Sequence, residues 1–376
     1  MSNLNFLEFG NLVNRPEYSG DRPLNIGIVG AGKRVRTMIH PILQKNKNFN
    51  VVGFTSRSKE TRDGFSNESG LKAFEDSKSL AEECDALIVC VAPAAAQEVN
   101  RKLLDLSIPL LVETPVLDVE FVKKAVSQNL IVGTLEQWPS LPIEQFKKIY
   151  IKKNVRTPMH LVMNDCRSFA YHAIAQMRSY IGRQKQPIKV KSQNLGKRIS
   201  ESVKANNGEI KTDLVDMWNF GIVQFEDAVL LHNFSYMCKT APYRPLHTLR
   251  CYSEDSTLIS GRMKSSGNDY EILEFAKAEN GETIFSDFNV VREGDVTKKI
   301  EDKSTDTIWE NPYAQFGFDD QQTAIMSTIE GFRNHLVSKN PEETGFYSAY
   351  DSYVDCLVMN AIQHAAQTDQ TVSFQG

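Results

Sequence analysis

The stretch LNIGIVGAGKRVRTMIHPIL, Leu24 to Leu43, decides how the rest of the chain is read. Apolar Ile26, Ile28 and Val29 run into Gly30-Ala31-Gly32, and an amphipathic pattern follows at once. That succession is a buried strand, a tight glycine turn and a helix. Glycines at such a turn let the backbone approach a pyrophosphate, and the helix N-terminus adds unpaired N–H groups and a partial positive charge. The full pattern is G-x-G-x-x-G, and its third glycine is Val35 here, so slightly wider packing of helix on strand is expected. Glycine turns also follow strands that bind nothing, so the order of elements around this one carries the argument.

Outward from the turn, the helix runs to about Asn46, and Asn50 to Phe54 reads as a second strand ending in Thr55-Ser56-Arg57-Ser58. A dinucleotide fold places the adenosine ribose at that strand end, where an acidic residue would bond the 2′-hydroxyl and repel a 2′-phosphate. Two serines and an arginine stand there instead, a set suited to a phosphate, so NADP is expected over NAD. A short segment at Leu71 to Phe74 follows, then a buried strand over Cys84 to Val91 that ends at Ala92-Pro93 before a helix near Ala95. Ile108 to Val112 is a strand ending in Glu113-Thr114-Pro115, Val119 to Gln128 a helix and Leu130 to Gly133 a strand. Strict alternation of strand and helix means a doubly wound parallel sheet with ligands at the carboxyl ends of its strands.

At 376 residues two domains are expected: after a leader over 1–22, a dinucleotide-binding domain over 23–140 and a second domain over 141–376, to which the resemblance described below gives substrate binding and oligomerisation. Net charge is −4 with acids and bases interspersed, which argues against a nucleic-acid partner. No apolar run reaches the roughly 18 residues of a membrane span, and the N-terminus lacks the pattern of a secretory signal. Six scattered cysteines without a C-x-x-C pair fit reduced thiols in the cytoplasm, and the histidines show no metal-ligand spacing. No metal is expected.

In the second half, Ile143 to Ile151 is a helix and Met159 to Asn164 a strand. Phe220 to Phe225 and Ala228 to Phe234 form a hairpin around Glu226-Asp227, with further strands at Thr248 to Tyr252, Tyr270 to Phe275 and Thr283 to Val290. The polar stretch Gly294 to Asp306 reads as a loop or strand edge, Gln321 to His335 as a helix, and Glu343 to Val372 as a last helix and tail. This half is thus an α+β domain with a mostly antiparallel sheet.

The run CDALIVCVAP, the spacer and LLVETPV resemble the glucose–fructose oxidoreductase / inositol dehydrogenase / MocA family, whose segments typically read D-x-V-x-I-x-T-P and V-x-x-E-K-P. FAYHAIAQMRSYIG, Phe169 to Gly182, is similar to the family's histidine-bearing helix start. The resemblance implies a Rossmann domain followed by a large open sheet, a small-molecule substrate, and a homodimer or homotetramer formed through that sheet. It implies cofactor contacts at Gly30, Gly32, Lys33, Arg34, Ser56, Arg57, Ser58, Ala92, Pro93, Gln97, Glu113 and Thr114.

Two departures matter for chemistry. The lysine of E-K-P is Thr114, whose hydroxyl can bond a substrate but cannot act as a base near neutrality. In the family's D-x-x-x-H, His172 matches the histidine, while the aspartate is Ser168; Asp165 is the nearest substitute. Histidine is the side-chain type suited to moving a proton near neutral pH, against the reading of His172 as a helix-start packing residue. Tyr171 beside it can donate a proton or stack on a ring. Glu136 and Trp138 follow the sixth strand, where they supply an acid and a pocket floor or else pack a domain junction. Arg178 reads as a solvated helix position, or, turned inward, as the contact for a substrate carboxylate or phosphate. The expected activity is NADP-dependent hydride transfer to a small polar substrate, with reduction of a C=N or conjugated bond favoured by the missing lysine. The alternatives are a sugar or cyclitol dehydrogenase and a non-catalytic dinucleotide sensor.

Overall fold

The first third of the chain forms the expected parallel sheet. Its strands β1 (Leu24–Val29), β2 (Phe49–Thr55), β3 (Ala73–Phe74), β4 (Ala86–Val89), β5 (Leu110–Val112) and β6 (Val132–Thr134) lie in the order β3-β2-β1-β4-β5-β6, all neighbours parallel. The direction of winding reverses between β1 and β4, which opens a ligand crevice at their carboxyl ends. This is a computed structural model, and it describes residues 18–168, 170–199, 203–204, 210–211, 214–235, 247–265, 268–338, 340 and 344–374.

Local sequence explains the helices between these strands: α1 (His40–Lys45), α2 (Lys59–Ser69), α3 (Ser77–Glu82), α4 (Pro93–Leu104) and α5 (Val119–Ser127). Ser58, Asp76 and Asp118 accept backbone N–H bonds at the starts of α2, α3 and α5, and Pro93 sits where a missing N–H costs nothing. Before α1, Val35–Ile39 is wound with the wider π pitch, and the His40 N–H reaches the Val35 carbonyl. Pro41 cannot donate, and in an α-turn its ring would strike the carbonyl four residues back; the wider turn relieves this.

The chain divides into two compact units, one reaching to Leu141 and completed by Pro312–Val354, the other made of Pro142–Asn311 and Asp355–Gly376. Residues 312–354, assigned from sequence to the second domain, therefore correct the expected boundary. Ile325, Met326, Ile329 and Phe332 of the helix Asp320–Ser338 join Ile26, Ile28, Val35, Phe54 and Ile88 in one core. Each such side chain, fully buried, contributes about 1.5–3 kcal/mol. Thr134 donates its N–H to the Tyr347 carbonyl at 2.8 Å, closing the β6 edge. On the sheet's other face Leu87, Val89, Leu110 and Val112 pack on Leu104, Phe121 and Val122.

Of the expected leader, residues 1–17 lie outside the described residues. Tyr18 is buried in the first unit, its hydroxyl accepting from Arg333 Nε at 2.9 Å, and Arg22 pairs with Asp85 at 2.6 Å.

His335 of this unit stacks on Phe346, ring centroids 4.0 Å apart and 7° from parallel, and neither ring nitrogen has a hydrogen-bond partner. Burial pulls its pKa from 6.5 down to about 4. On acidification the unfolded chain takes up this proton first. The stabilisation is therefore complete above about pH 6.5 and is lost as pH falls toward about 4. Urea midpoints are expected to drop between about pH 7 and about pH 5, and His335→Phe, which keeps the ring stack, to flatten that slope. An unchanged slope would refute the assignment. Burial lowers His40 in the same direction, so some slope persists in the variant.

The second unit begins with α6 (Pro142–Asn154), β7 (Leu161–Asp165), α7 (Ala170–Ile181) and β8 (Lys189–Ile199), followed by the short pair β9 (Val203–Lys204) and β10 (Ile210–Lys211). Next come β11 (Leu214–Gln224), β12 (Val229–Ser235), β13 (Thr248–Tyr252), β14 (Ser256–Ser265), β15 (Asn268–Glu279), β16 (Glu282–Phe285), β17 (Phe288–Glu293), β18 (Val296–Asp302), β19 (Thr307–Glu310) and β20 (Val372–Ser373). Nine strands form one sheet, β16-β15-β14-β13-β7-β12-β11-β8-β20, antiparallel except for β7 with β12. Val162 and Asn164 of β7 are buried and alternate with half-buried Leu161, Met163 and Asp165, so this strand has one face toward the core.

Two expectations need correction. Thr283 to Val290 is two strands in different sheets, β16 and β17, with Asp287 N–H bonded to the Asp302 carboxylate at 2.8 Å between them. Gly294 to Asp306 holds β18, the middle strand of β17-β18-β19, with Thr297 and Ile300 buried.

Candidate active site

At the carboxyl ends of the parallel sheet the two glycines of the turn differ. Gly30 has φ +117°, and a Cβ there would lie 2.1 Å from the Cys90 carbonyl oxygen, so the fold itself demands glycine. Gly32 lies outside the left-handed region, and a Cβ there would meet nothing within 4 Å. Protein packing does not require this glycine.

Arg34, just past the turn, reaches across the strand ends. Its Nε donates to Glu113 Oε2 at 2.8 Å and its Nη2 to Gln137 Oε1 at 3.4 Å, tying the glycine turn to the ends of β5 and β6. Burial pushes the Glu113 carboxyl up, Arg34 draws it back down, and Glu136 nearby raises it again. The Cys90 thiol lies 3.7 Å from Glu113 Oε2; burial and that carboxylate push it up to about 12, so it stays a thiol. Thr114 is half-buried and joined to Pro115 by a cis peptide. Glu136 is 1% exposed, and its Oε1 accepts the Trp138 N–H at 3.2 Å.

At the end of β2 the phosphate-cradle residues separate in role. Ser58 is the helix cap: its Oγ accepts the Thr61 N–H at 3.1 Å. Arg57 is exposed and Ser56 half-buried. The sequence reading missed Arg62, whose Nη1 donates to the Ser56 carbonyl at 2.6 Å; its position one helical turn past Ser58 was the available signal. Ala92, Pro93 and Gln97 are exposed at the start of α4, and Lys33 is exposed in the turn. Gly30, Gly32, Lys33 and Arg34 thus adjoin the Ser56–Ser58 loop through β1 and β2, with Gly30 N–H bonded to the Thr55 carbonyl at 2.8 Å.

In the second unit, Phe169 lies outside the described residues. His172 is buried in the first turn of α7, with the Tyr171 ring 4.2 Å from its own. The β7–α7 connection carries two non-glycine residues at positive φ, Cys166 at 52° and Ala170 at 50°, a kind of strain that collects at functional sites. Ser168, at the family's aspartate position, donates its hydroxyl to Gln176 Oε1 at 2.8 Å and its N–H to Asn164 Oδ1 at 3.0 Å. Asp165 accepts from Asn233 at 2.7 Å. Arg178 is corrected: it is neither solvated nor presented to a ligand, but wholly buried and paired with Asp355 at 2.5 Å, with the Arg183 carbonyl as a further acceptor.

Residues 24–128 match the family model described as an oxidoreductase family with an NAD-binding Rossmann fold. No curated protein sequence matches the chain. Among solved structures it is similar to the transcriptional regulator Gal80p of Kluyveromyces lactis, with 14% identity, a TM-score of 0.67 and coverage of 95% of this chain and 96% of that one. It is also similar to the UDP-N-acetylglucosamine 3-dehydrogenase GnnA of Acidithiobacillus ferrooxidans, with 14% identity, a TM-score of 0.57 and coverage of 92% and 97%. A third likeness is to GenD2 from gentamicin A biosynthesis in complex with NAD, with 11% identity, a TM-score of 0.57 and coverage of 97% and 100%. Such identities speak for the fold alone. The parallel strand order, the glycine turn and the family model agree that residues 24–128 form an NAD-binding Rossmann fold of the kind found in that oxidoreductase family.

Proposed function

We propose that this protein is an NADP-dependent oxidoreductase acting on a small polar substrate. The observation that carries the reading is Gly32, a glycine that neither backbone conformation nor packing calls for, at the mouth of the nucleotide crevice. Gly30, Gly32, Lys33 and Arg34 would hold the pyrophosphate, and Ser56 and Arg57 the adenosine end. The bound nicotinamide supplies or accepts the hydride. His172 carries the proton, with Tyr171 beside it, and Thr114 bonds the substrate without removing a proton from it. Glu136, Trp138 and Asp165 are the further polar and aromatic candidates for that role. Thr114 in place of lysine favours reduction of a C=N or conjugated bond, which needs one hydride and one proton and no strong base. A sugar or cyclitol dehydrogenase is the alternative substrate class.

The test is a fluorescence titration with NADPH and NADH on the wild type and Gly32→Ala. The variant is expected to unfold like the wild type and to lose about tenfold or more in NADPH affinity, since its methyl group takes the ligand's space. Binding of neither nucleotide by the wild type overturns the proposal.

A second reading, a dinucleotide-binding sensor without catalysis, is favoured by Ser168, whose hydroxyl serves a buried network with Asn164 and Gln176 where a carboxylate would face His172. In either reading the protein is a homodimer or homotetramer through the nine-stranded sheet, where Leu195, Phe220 and Ile222 are exposed. A cytoplasmic setting is part of this reading, supported by the free thiols Cys84, Cys90, Cys166, Cys251 and Cys356.

A further inference from the structure

Arg34 carries its charge across the crevice. β4 lies between β1 and β5 in the sheet, yet the Arg34 guanidinium, just past the glycine turn, pairs with Glu113 beyond β5 at 2.8 Å and bonds Gln137 beyond β6 at 3.4 Å. The contact therefore spans the carboxyl end of β4, on the line a dinucleotide takes from the glycine turn. Arg34 Nη1 has no partner among the described residues, and 32% of the side chain is exposed. Glu113 faces Cys90 at the end of β4, whose thiol lies 3.7 Å from the same Oε2, and Glu136 beyond β6, a group of like sign. Among the described residues Arg34 is its one ion-pair partner.

Half-buried and near a second carboxylate, Glu113 depends on that guanidinium to keep its charge. The same guanidinium stands at the turn that would receive a pyrophosphate, and phosphate oxygens suit its planar fork. Turned toward the phosphates, the fork leaves Glu113 without counter-charge; held by Glu113, it offers the phosphates only its remaining edge. Glu113 is the weaker rival. It sets one negative charge against the two of a pyrophosphate diester, and it can discharge itself by taking a proton, which the diester does not do near neutral pH.

We infer that Arg34 and Glu113 form a proton-coupled switch at the crevice: the incoming pyrophosphate draws Arg34 off Glu113, and Glu113 takes up a proton from solution in exchange. The inference rests on the dinucleotide reading above and deepens it. Once protonated, Glu113 changes from an acceptor to a hydrogen-bond donor, next in sequence to Thr114. A substrate thus meets that donor only after the nucleotide is in place. Departure of the nucleotide reverses the exchange, and the ion pair re-forms. Because the complex holds more protons than the free protein, nucleotide affinity weakens as pH rises, by up to about tenfold per pH unit for one full proton.

The experiment is calorimetric titration of the full chain with NADH and NADPH in two buffers of equal pH and different ionisation enthalpy, which counts the protons exchanged on binding. The wild type is expected to take up about half a proton or more with NADH near neutral pH, and to bind more weakly as pH is raised from about 6 to about 8. Glu113→Gln keeps the shape of the side chain without its charge. It is expected to take up no proton at this site, to lose the pH dependence, and to bind at least as tightly as the wild type. Arg34→Met is expected to lose about 10- to 100-fold in affinity, the loss of a charge-assisted hydrogen bond. The difference between wild type and Glu113→Gln cancels any proton that the 2′-phosphate of NADPH exchanges by itself. An equal proton count in these two proteins overturns the inference. So does NADH binding by the wild type with no proton taken up, a result that needs no variant to fold. Binding of neither nucleotide sinks the dinucleotide reading, and this inference with it.

Discussion

Gly30→Val is expected to destabilise the first unit by at least about 4 kcal/mol and to abolish nucleotide binding. A side chain at φ +117° is strained whatever the space around it, and here the added Cβ falls 2.1 Å from a backbone oxygen and 2.8 Å from the carbonyl carbon of Cys90. Neither neighbour is the free end of a side chain. Cys90 is fixed by its N–H bond to the Val29 carbonyl at 2.9 Å, so relief has to come from parting β1 and β4 at the crevice. Chemical denaturation of Gly30→Ala and Gly30→Val measures the cost. A loss under about 1 kcal/mol in both would refute the geometry of this turn. Set beside Gly32→Ala, the pair separates a glycine required by the fold from one required by a ligand.

Asp355→Ala is the second large effect, expected at about 3–5 kcal/mol. Arg178 is wholly buried and Asp355 1% exposed, and their 2.5 Å contact joins α7 to the helix Ala349–Thr368. Removing the carboxylate leaves an interior guanidinium without its counter-charge. Removing both charges should not carry the same penalty: the double variant Arg178→Met, Asp355→Leu is expected to recover most of the loss. Urea denaturation of the three proteins decides. If Asp355→Ala lies within about 1 kcal/mol of wild type, the pair is not holding these helices together.

The parallel sheet was legible because its strands are buried on both faces and read as continuous apolar runs such as ALIV at Ala86–Val89. In the second half the signal thins. The strand Lys189–Ile199, KVKSQNLGKRI, and the strand Val296–Asp302, VTKKIED, are too polar for alternation to show clearly. The glycine turn, Glu113 and Thr114 could be placed from strand order alone, since ligand residues collect at carboxyl ends. Arg178 could not: its partner is 177 residues away, and nothing on its own helix announces a carboxylate there. Arg62 was hidden for a different reason. Its bond to the Ser56 carbonyl depends on a side chain turning back on the preceding loop, which periodicity does not encode.

The return of Pro312–Val354 to the first unit has a consequence for synthesis. Thr134 must wait for Tyr347, 213 residues further along, before its strand edge is closed. At about 5–20 residues per second that is about 10–40 s of translation. For this interval the nascent nucleotide domain carries an open edge and an uncovered apolar face where Ile325, Ile329 and Phe332 will later sit. The first unit therefore completes its core only late in synthesis, long after its six parallel strands have been made.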